Sequence, residues 1–290
     1  MKGNIVEDKV INNNSNKTED EKKSLIEKLH KFNSESNIGI TVSNVKDSEK
    51  FKIVYSNLIS DYWWNFIYSI KANNKEELDK VIDLAEREMD KINRKLCISI
   101  SPVDGDIYEK KEQFFESNQY ELLCSESWQI YTDFESVENI KTNCDLDITM
   151  EKANDMDLFG KTMYRAFSSG KEEDPYGELD CLYMEVYKKY EPINKNYTQE
   201  FYFIKCEDKI VGVTNVLYNE EIFGIYALAI FSEYRNKGIG KSVVKQLLNK
   251  CKELNMKMAF LQTEKGFYPE AMYKKMGFKE ICTDYYYQKK

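Results

Sequence analysis

Apolar and polar residues follow one another in the second half of the chain as a regular series of strand-like and helix-like segments. The apolar run 225–231 predicts a buried strand, and a second apolar run at 257–262 predicts another. Between them, apolar residues recur at helical spacing and predict a helix. Those apolar helix positions are Val243, Val244, Leu247, Leu248 and Cys251.

The same pattern predicts elements on either side of this unit. Residues 201–206 and 210–218 predict two strands joined by a polar turn, and residues 146–150 predict an earlier strand. Asn154 is a predicted N-cap for the helix that follows that strand. Near the C-terminus, a short helix is expected to end at Gly277, because a left-handed C-cap favours glycine.

A glycine-containing turn joins the strand at 225–231 to the helix after it. Its sequence is Tyr234-Arg235-Asn236-Lys237-Gly238-Ile239-Gly240-Lys241-Ser242. A strand, a glycine turn and a helix start expose backbone N–H groups at the positive end of a helix, which is where phosphate groups bind. The spacing excludes two common phosphate loops, since Arg235 stands where a Walker A loop needs glycine and Val243 where a dinucleotide fingerprint needs glycine or alanine.

The arrangement R-x-x-G-x-G resembles the acyl-CoA pyrophosphate loop of the GNAT superfamily of N-acyltransferases. The likeness extends over residues 145–290, where the segment 269–278 resembles the family's short helix that ends near a tyrosine and is followed by glycine and phenylalanine. The resemblance implies an α/β (α+β) fold with a mixed, mostly antiparallel sheet flanked by helices. It also implies an acetyl-CoA-dependent N-acetyltransferase in which a primary amine of a small molecule or peptide attacks the thioester directly.

The resemblance further implies roles for individual residues. Tyr273 matches the position of the general acid, and the strand 227–231 is expected to lie beside the pantetheine arm of acetyl-CoA, with an N–H near Ala229 or Ile230 polarising the thioester carbonyl. Arg235 is expected to seat either the loop or its ligand. The expected cofactor-binding residues are Leu228, Ala229, Ile230, Arg235, Asn236, Lys237, Gly238, Ile239, Gly240, Lys241 and Ser242.

Two roles stay open at this stage. The strand 227–231 carries no carboxylate, so the general base is unassigned among Glu264, Glu220, Glu221, a tyrosine hydroxyl and a water chain. The acceptor is expected to face the segment 168–199, whose acidic residues include Glu172 and whose tyrosines include Tyr183 and Tyr190. The alternative to an enzyme is a catalytically inactive protein of the same fold that binds coenzyme A or a partner.

The end of the first half resembles the end of the second half in sequence. Shifted by 158 positions, Phe115 falls on Tyr273, Cys124 on Cys282 and Glu126 on Asp284. This predicts two copies of one α/β unit, the first lacking both the loop glycines and the tyrosine. We therefore expect a polar and possibly flexible leader at 1–36, a degenerate GNAT-like domain at 37–144 and a catalytic domain at 145–290.

The amino-acid composition limits the catalytic schemes and the binding partners expected for this chain. The single histidine, His30, excludes Ser-His-Asp and Cys-His schemes and histidine-based zinc motifs. Seven scattered cysteines suit a reducing cytoplasm. The net charge of −8 without a basic stripe disfavours nucleic acid, and there is no apolar run long enough for a membrane span. We expect a cytoplasmic monomer or homodimer that uses acetyl-CoA as cosubstrate, an amine acceptor and no metal.

Overall fold

The computed structural model describes residues 18–115, 119–168 and 179–290. Over these residues the chain forms eight α-helices and eleven strands. The helices are α1 (Glu19–Ser36), α2 (Lys75–Asp90), α3 (Asp106–Glu109), α4 (Lys111–Phe115), α5 (Met156–Phe167), α6 (Leu182–Lys188), α7 (Ile239–Glu253) and α8 (Tyr268–Lys275). The strands are β1 (Asn44–Asp47), β2 (Lys52–Tyr55), β3 (Phe66–Tyr68), β4 (Cys97–Ile100), β5 (Tyr120–Tyr131), β6 (Ile148–Lys152), β7 (Thr198–Cys206), β8 (Lys209–Tyr218), β9 (Ile222–Ile230), β10 (Met258–Glu264) and β11 (Lys279–Lys289).

All described strands belong to one sheet, in the order β1-β2-β3-β4-β11-β5-β10-β9-β8-β7-β6. Neighbouring strands are antiparallel except for the two parallel pairs β3–β4 and β9–β10. Each parallel pair has a helix, α2 or α7, in its connection, as parallel strands require. The predicted class, a mixed and mostly antiparallel sheet flanked by helices, is confirmed.

The last strands of the two halves are exchanged. Strand β5, from the first half, lies between β10 and β11, and β11, from the end of the chain, lies between β4 and β5. In this pairing Glu126 lies opposite Asp284, Cys124 opposite Tyr286 and Trp128 opposite Cys282. Because the sequence repeat relates Glu126 to Asp284, a local two-fold axis passes through that pair.

Helices on the two faces bury separate apolar clusters over the second half of the sheet. One cluster contains apolar residues of α7 together with Tyr273 of α8. The other contains apolar residues of α1, α5 and α6. Helix α7 was predicted from the spacing of its apolar residues, and all five of the predicted core positions are buried. Apolar burial at this spacing holds α7 on the sheet and fixes the position of its first turn.

The local predictions for the second half agree with the structure except at one cap. The predicted strands correspond to β6 to β10, and Gly277 has the expected positive φ, 100°. The cap of α5 is Asp155 rather than Asn154, since the Asp155 carboxylate accepts a hydrogen bond from the Leu158 N–H at 2.9 Å. A carboxylate at this position also interacts favourably with the positive end of the helix.

The leader expected at 1–36 contains a long helix that is part of the core. Residues 1–17 lie outside the described range, whereas α1 begins after Thr18, whose hydroxyl accepts from the Glu21 N–H. Leu25, Ile26 and Leu29 are buried in α1, as is Phe32. The end of this helix is held by Gln199 of β7, whose side-chain amide nitrogen donates to the Ser36 carbonyl at 2.6 Å. The helix therefore lies against strands of the second half. No helix in the described ranges is long and apolar enough to cross a membrane.

Candidate active site

Strands β9 and β10 separate partway along their length. They pair only where Met258, Ala259 and Phe260 lie opposite the first three residues of β9, the last of which is Gly224. Beyond this point β9 continues to Ile230 and β10 continues to Glu264 without pairing to each other in the described structure. The separation leaves a cleft whose two walls are backbone edges that can hydrogen-bond an extended ligand.

A β-bulge shapes the β9 wall of this cleft. The register between β8 and β9 shifts between Val213 and Asn215, which leaves two residues of β9, 227 and 228, opposite Thr214. Ala227 adopts a φ of +46°, which is unusual for a residue with a Cβ. Bulges of this kind redirect the strand and are common beside active sites.

The alternation of hydrogen bonds after the bulge decides which amide faces the cleft. The Phe231 N–H donates to the Val211 carbonyl at 2.8 Å, and Ala229 lies opposite Val213. Antiparallel strands alternate between hydrogen-bonded and non-hydrogen-bonded pairs. The polar backbone groups of Ala229 therefore point to β8, and those of Ile230 point away from it. The Ile230 carbonyl accepts from Arg235 Nε at 2.9 Å. The Ile230 N–H, which also points away from β8, is directed to the cleft.

The two loop glycines have different surroundings. Gly238 is the N-cap of α7 with φ +78°, and a Cβ there would lie 2.5 Å from the Thr142 carbonyl oxygen and 2.7 Å from that of Asn143. At Gly240 a Cβ would meet no described atom within 4 Å outside the adjacent residues and the backbone of its own helix. Gly238 is thus required by the fold, whereas Gly240 leaves open space at the first turn of the helix.

The first turn of α7 has no side-chain cap among the described residues. The first N–H group of the turn that donates a hydrogen bond within it is that of Ser242, which donates to the Gly238 carbonyl oxygen at 3.0 Å. The N–H groups of Ile239, Gly240 and Lys241 precede it at the positive end of the helix, where no intrahelical carbonyl is in reach. Open space beside uncapped amides is the arrangement that admits a phosphate group.

The remaining loop residues surround this turn. Asn236 and Lys237 are exposed, Lys241 and Ser242 are half-buried, and the Ile239 side chain is in the core. Arg235 ties the loop to two other elements, since its guanidinium donates to Ile230 O and, at 3.0 Å, to Ala166 O of α5. These contacts show Arg235 seating the loop.

Tyr273 lies on α8 and is 7% exposed. It belongs to the same apolar cluster as Ile239 and Leu261, and the partly buried Leu228 and Ile230 pack against that cluster. Its ring meets that of Phe278 edge to face at 5.6 Å. Burial raises the pKa of the Tyr273 phenol, with a smaller effect from Tyr268, so the phenol stays protonated at neutral pH.

The structure separates the candidate bases. Glu221 lies at the start of β9, far along the strand from the bulge, and hydrogen bonds with Lys257 and Lys28 lower its pKa to about 2. Glu220 precedes it in the same exposed turn. Glu264 ends β10 at the cleft, and burial raises the pKa of its carboxyl group above the usual value. Glu264 is the only one of the three beside the open ends of the strands.

A second carboxyl group, which the sequence did not single out for chemistry, lies next to Glu264. Glu126 on β5 is opposite Glu264 in the register, and its Oε2 atom accepts from Gln262 Nε2 at 3.3 Å and from Tyr286 Oη at 3.1 Å. Burial, with a smaller contribution from the nearby Asp284, raises the pKa of Glu126 to about 8. No sequence signal places β5 here, because the strand comes from the other half.

The predicted acceptor segment is described only in part. Glu172, Glu173, Asp174, Tyr176 and Glu178 lie outside the described residues. Tyr183, Val186 and Tyr187 of α6 are buried in the core. In the described part of the chain there is no group of three His, Cys, Asp or Glu side chains that could hold a metal ion.

The counterpart of the site in the first half is closed by its own side chains. Asn74 caps α2 by accepting from the Glu77 N–H at 3.0 Å, and the Glu77 carboxylate accepts from the Asn73 N–H at 2.9 Å. Between the ends of β3 and β4, the Asp104 carboxylate accepts from Ile70 N and Ser101 N, both at 2.7 Å. In the first half, the third amide of the helix start and two amides at the strand ends are therefore occupied by side chains.

Comparison with known sequences identifies the second half. Residues 163–278 match the acetyltransferase (GNAT) family. A protein of Chlorobaculum tepidum, named as an uncharacterized N-acetyltransferase, is 30% identical to this chain over 93 residues, which cover 31% of this chain and 57% of that protein. The chain thus spans little more than half the length of this curated relative.

Comparison with solved structures covers both halves. A functionally unknown conserved protein from Staphylococcus epidermidis superposes with a TM-score of 0.64 at 15% identity, covering 87% of this chain and 96% of that one. A GCN5-related N-acetyltransferase from Kribbella flavida gives 0.59 at 7% identity, with coverages of 90% and 94%. A tandem GNAT protein from the clavulanic acid biosynthesis pathway gives 0.53 at 8% identity, with coverages of 78% and 74%.

At such identities the structural likeness concerns the fold alone, and the family assignment comes from the sequence match. Both agree with the resemblance predicted from the glycine turn, including its tandem form. Residues 163–278 thus match a GNAT acetyltransferase domain, and the chain as a whole is similar in fold to a tandem GNAT protein.

Proposed function

We propose that this protein is an acetyl-CoA-dependent N-acetyltransferase that acetylates a primary amine of a small molecule or peptide. The observation that carries the proposal is the combination of the β9–β10 cleft with the uncapped, open first turn of α7 at its end. GNAT proteins in general use acetyl-CoA, and both parts of this site suit that molecule. The cleft offers backbone groups to an extended pantetheine arm, and the helix start offers amides to a diphosphate.

In this proposal the diphosphate accepts hydrogen bonds from N–H groups between Asn236 and Lys241, and Lys241 or Ser242 adds a polar contact. The pantetheine arm lies along Leu228, Ala229 and Ile230. Of the two amides considered for the thioester carbonyl, Ile230 is favoured, since the Ala229 N–H is directed to β8. A backbone donor that faces developing negative charge in a dry site commonly contributes a few kcal/mol to the rate.

Two residues carry out the proton transfers of the reaction. The acceptor reaches the site as an ammonium ion, so a base must remove a proton before the nitrogen attacks the carbonyl carbon. We assign this role to Glu264, whose carboxyl is partly buried at the end of β10. As the C–S bond breaks, the thiolate of coenzyme A takes a proton from the Tyr273 phenol, and the tyrosinate is restored by the second proton that the nitrogen gives up as the amide forms. Glu264 and Tyr273 thus act as general base and general acid.

We also propose that only the second half is catalytic, with a division of the sequence near residue 144. In the first half, Asn74 accepts from the third amide of the helix start, Glu77 accepts from the Asn73 N–H before it, and the Asp104 carboxylate lies between the strand ends. Phe115, the counterpart of Tyr273, has no hydroxyl and stacks on Tyr287 at 4.7 Å. One molecule of coenzyme A per chain is the expected stoichiometry.

The test is incubation of the full chain with acetyl-CoA and a panel of small amines and peptides, with release of free thiol as the readout. Thermal shifts with coenzyme A, ATP and NAD, each without acceptor, measure ligand choice separately. Stabilisation by coenzyme A together with amine-dependent thiol release supports the proposal. Stabilisation without turnover on the whole panel favours the alternative, an inactive protein that binds coenzyme A, and stabilisation by ATP or NAD alone contradicts both.

A further inference from the structure

Tyr226 is fixed at both ends just before the β9 bulge. Its backbone carbonyl accepts from Thr214 Oγ1 at 3.0 Å, and its phenol donates to Asn33 Oδ1 of α1 at 3.0 Å. Thr214 is 0% exposed and Asn33 is 8% exposed, so both partners are shielded from solvent. Burial raises the pKa of the Tyr226 phenol, which keeps its donor proton. One residue therefore links the bulge to the neighbouring strand and to a helix 193 positions earlier in the chain.

Helix α1 crosses β9 and β10 near the point where they separate. A Cβ at Gly224, the last β9 residue paired with β10, would lie 2.9 Å from Phe32 Cε1. The Phe32 ring also meets Phe260 of β10 edge to face at 6.3 Å. The helix thus covers the closed end of the cleft, and its next residue, Asn33, reaches the bulge.

The residue after Tyr226 needs such support. Ala227 has a φ of +46°, in a left-handed region that disfavours a residue with a Cβ and that persists only where the surroundings impose it. The same bulge sets the direction of the amides that follow, including the Ile230 N–H. A small rotation here changes the angle at which that donor meets a bound carbonyl.

We propose that Asn33 is a positioning residue for acyl transfer, which holds the Tyr226 phenol and thereby keeps the β9 bulge in the conformation that aims the Ile230 N–H at the thioester. The inference rests on the proposed function. It gives the helix that precedes the first half a direct part in the site of the second half.

Tyr226→Phe removes the hydroxyl and keeps the ring, and Asn33→Ala removes its partner. For each variant we expect kcat to fall by about 10-fold, because loss of orientation at a catalytic donor reduces the rate of the chemical step. The Kd of coenzyme A is expected to change by less than about 3-fold, since the phosphate site is elsewhere. The double variant should lose no more activity than the poorer single variant, because both changes break one interaction.

The matched control is Gln199→Ala. Gln199 Nε2 holds the other end of the α1 segment through the carbonyls of Ser36 and Ile38, at 2.6 and 3.2 Å. This variant should lower Tm without changing kcat. If kcat instead follows Tm across all three variants, or if Tyr226→Phe retains kcat within 2-fold, the positioning role is wrong.

Amide hydrogen exchange gives a readout that does not need turnover. Exchange at residues 226–230 should accelerate in Tyr226→Phe and Asn33→Ala but not in Gln199→Ala. Unchanged exchange there overturns the inference even in an active enzyme. Faster exchange in a protein that acetylates no amine would show that the bulge is held as described while the proposed function fails.

Discussion

At the scale of single residues, the two glycines of the loop show why a motif can combine two requirements. Gly238 has a positive φ and lies against the carbonyls of residues 142 and 143, so its role is in folding. Gly240 faces open space, so its role is to leave room. The sequence does not distinguish the two glycines, and only their three-dimensional surroundings show that their roles differ.

Gly240→Glu should therefore abolish coenzyme A binding while leaving Tm within a few degrees of the wild type, because the added carboxylate fills the space and repels phosphate. Gly238→Ala should lower Tm, since the methyl group would meet backbone oxygens in a conformation that disfavours it. Isothermal titration with coenzyme A and thermal unfolding measure the two effects. Wild-type affinity in Gly240→Glu would show that the diphosphate lies elsewhere.

The buried phenol of Tyr273 suits a proton donor, and it can be tested by removing one atom. Tyr273→Phe should lower kcat by about 10²-fold or more, because the thiolate then leaves without a proton donor. The affinity for coenzyme A should hardly change, since the ring and its contact with Phe278 remain. A kcat close to that of the wild type would make Tyr273 a packing residue.

The pH dependence of turnover tests Glu264. A general base acts in its ionised form, and burial raises the pKa of this carboxyl above its usual 4.5. The rate should therefore rise with pH through a pKa above 4.5, and Glu264→Gln should lower kcat/KM by about 10²-fold or more and remove that limb. Glu220→Gln, in the exposed turn before β9, is the control and should leave the profile unchanged. An unaltered acid limb in Glu264→Gln would exclude this base.

At the scale of elements, Arg235 joins the end of β9, the glycine-containing turn and α5 through carbonyl oxygens. Arg235→Lys keeps the charge but cannot reproduce the two directed contacts of the guanidinium. We expect this variant to bind coenzyme A about 10-fold more weakly and to have a lower Tm. If the positive charge acted on the ligand instead, lysine would preserve most of the affinity, and calorimetry separates the two cases.

Most elements of the second half follow from local patterns. The spacing of Val243, Val244 and Leu247 predicted α7, and the glycine turn predicted the family, because both signals lie in short stretches of sequence. The cleft itself is not visible in the sequence, since separation of β9 from β10 depends on pairing between distant segments. The bulge at Ala227 has no glycine to mark it, and Asn33 has no pattern linking it to Tyr226.

At the scale of the whole molecule, the exchange of β5 and β11 makes each half dependent on the other. A fragment of residues 145–290 would lose β5, which pairs with β10 and β11 and carries the buried Trp128. It would also lose α1, with its contacts to Tyr226 and Gln199. The proposed division of the sequence is therefore not a division into independently folding parts.

We expect the isolated 145–290 fragment to be unfolded or aggregated, because two long strand edges and an apolar face would be exposed. A full-length chain cleaved by an inserted protease site near residue 145, an exposed position, should stay folded with its two pieces associated. Circular dichroism and size-exclusion chromatography distinguish the outcomes. A soluble, cooperatively unfolding fragment that binds coenzyme A would contradict this expectation.

The two-fold axis through Glu126 and Asp284 has a consequence for the history of the chain. A single-unit ancestor that joined with a copy of itself in this way would have brought the same acidic residue face to face with its own duplicate. Fusion of the two copies frees those positions to diverge. Here one is a glutamate bound by Trp128 and Tyr286, and the other is an aspartate whose Oδ2 lies 2.8 Å from His30 Nε2. The two halves pair within one polypeptide as the subunits of such a dimer would, and the half without the loop glycines completes the sheet of the half that has them.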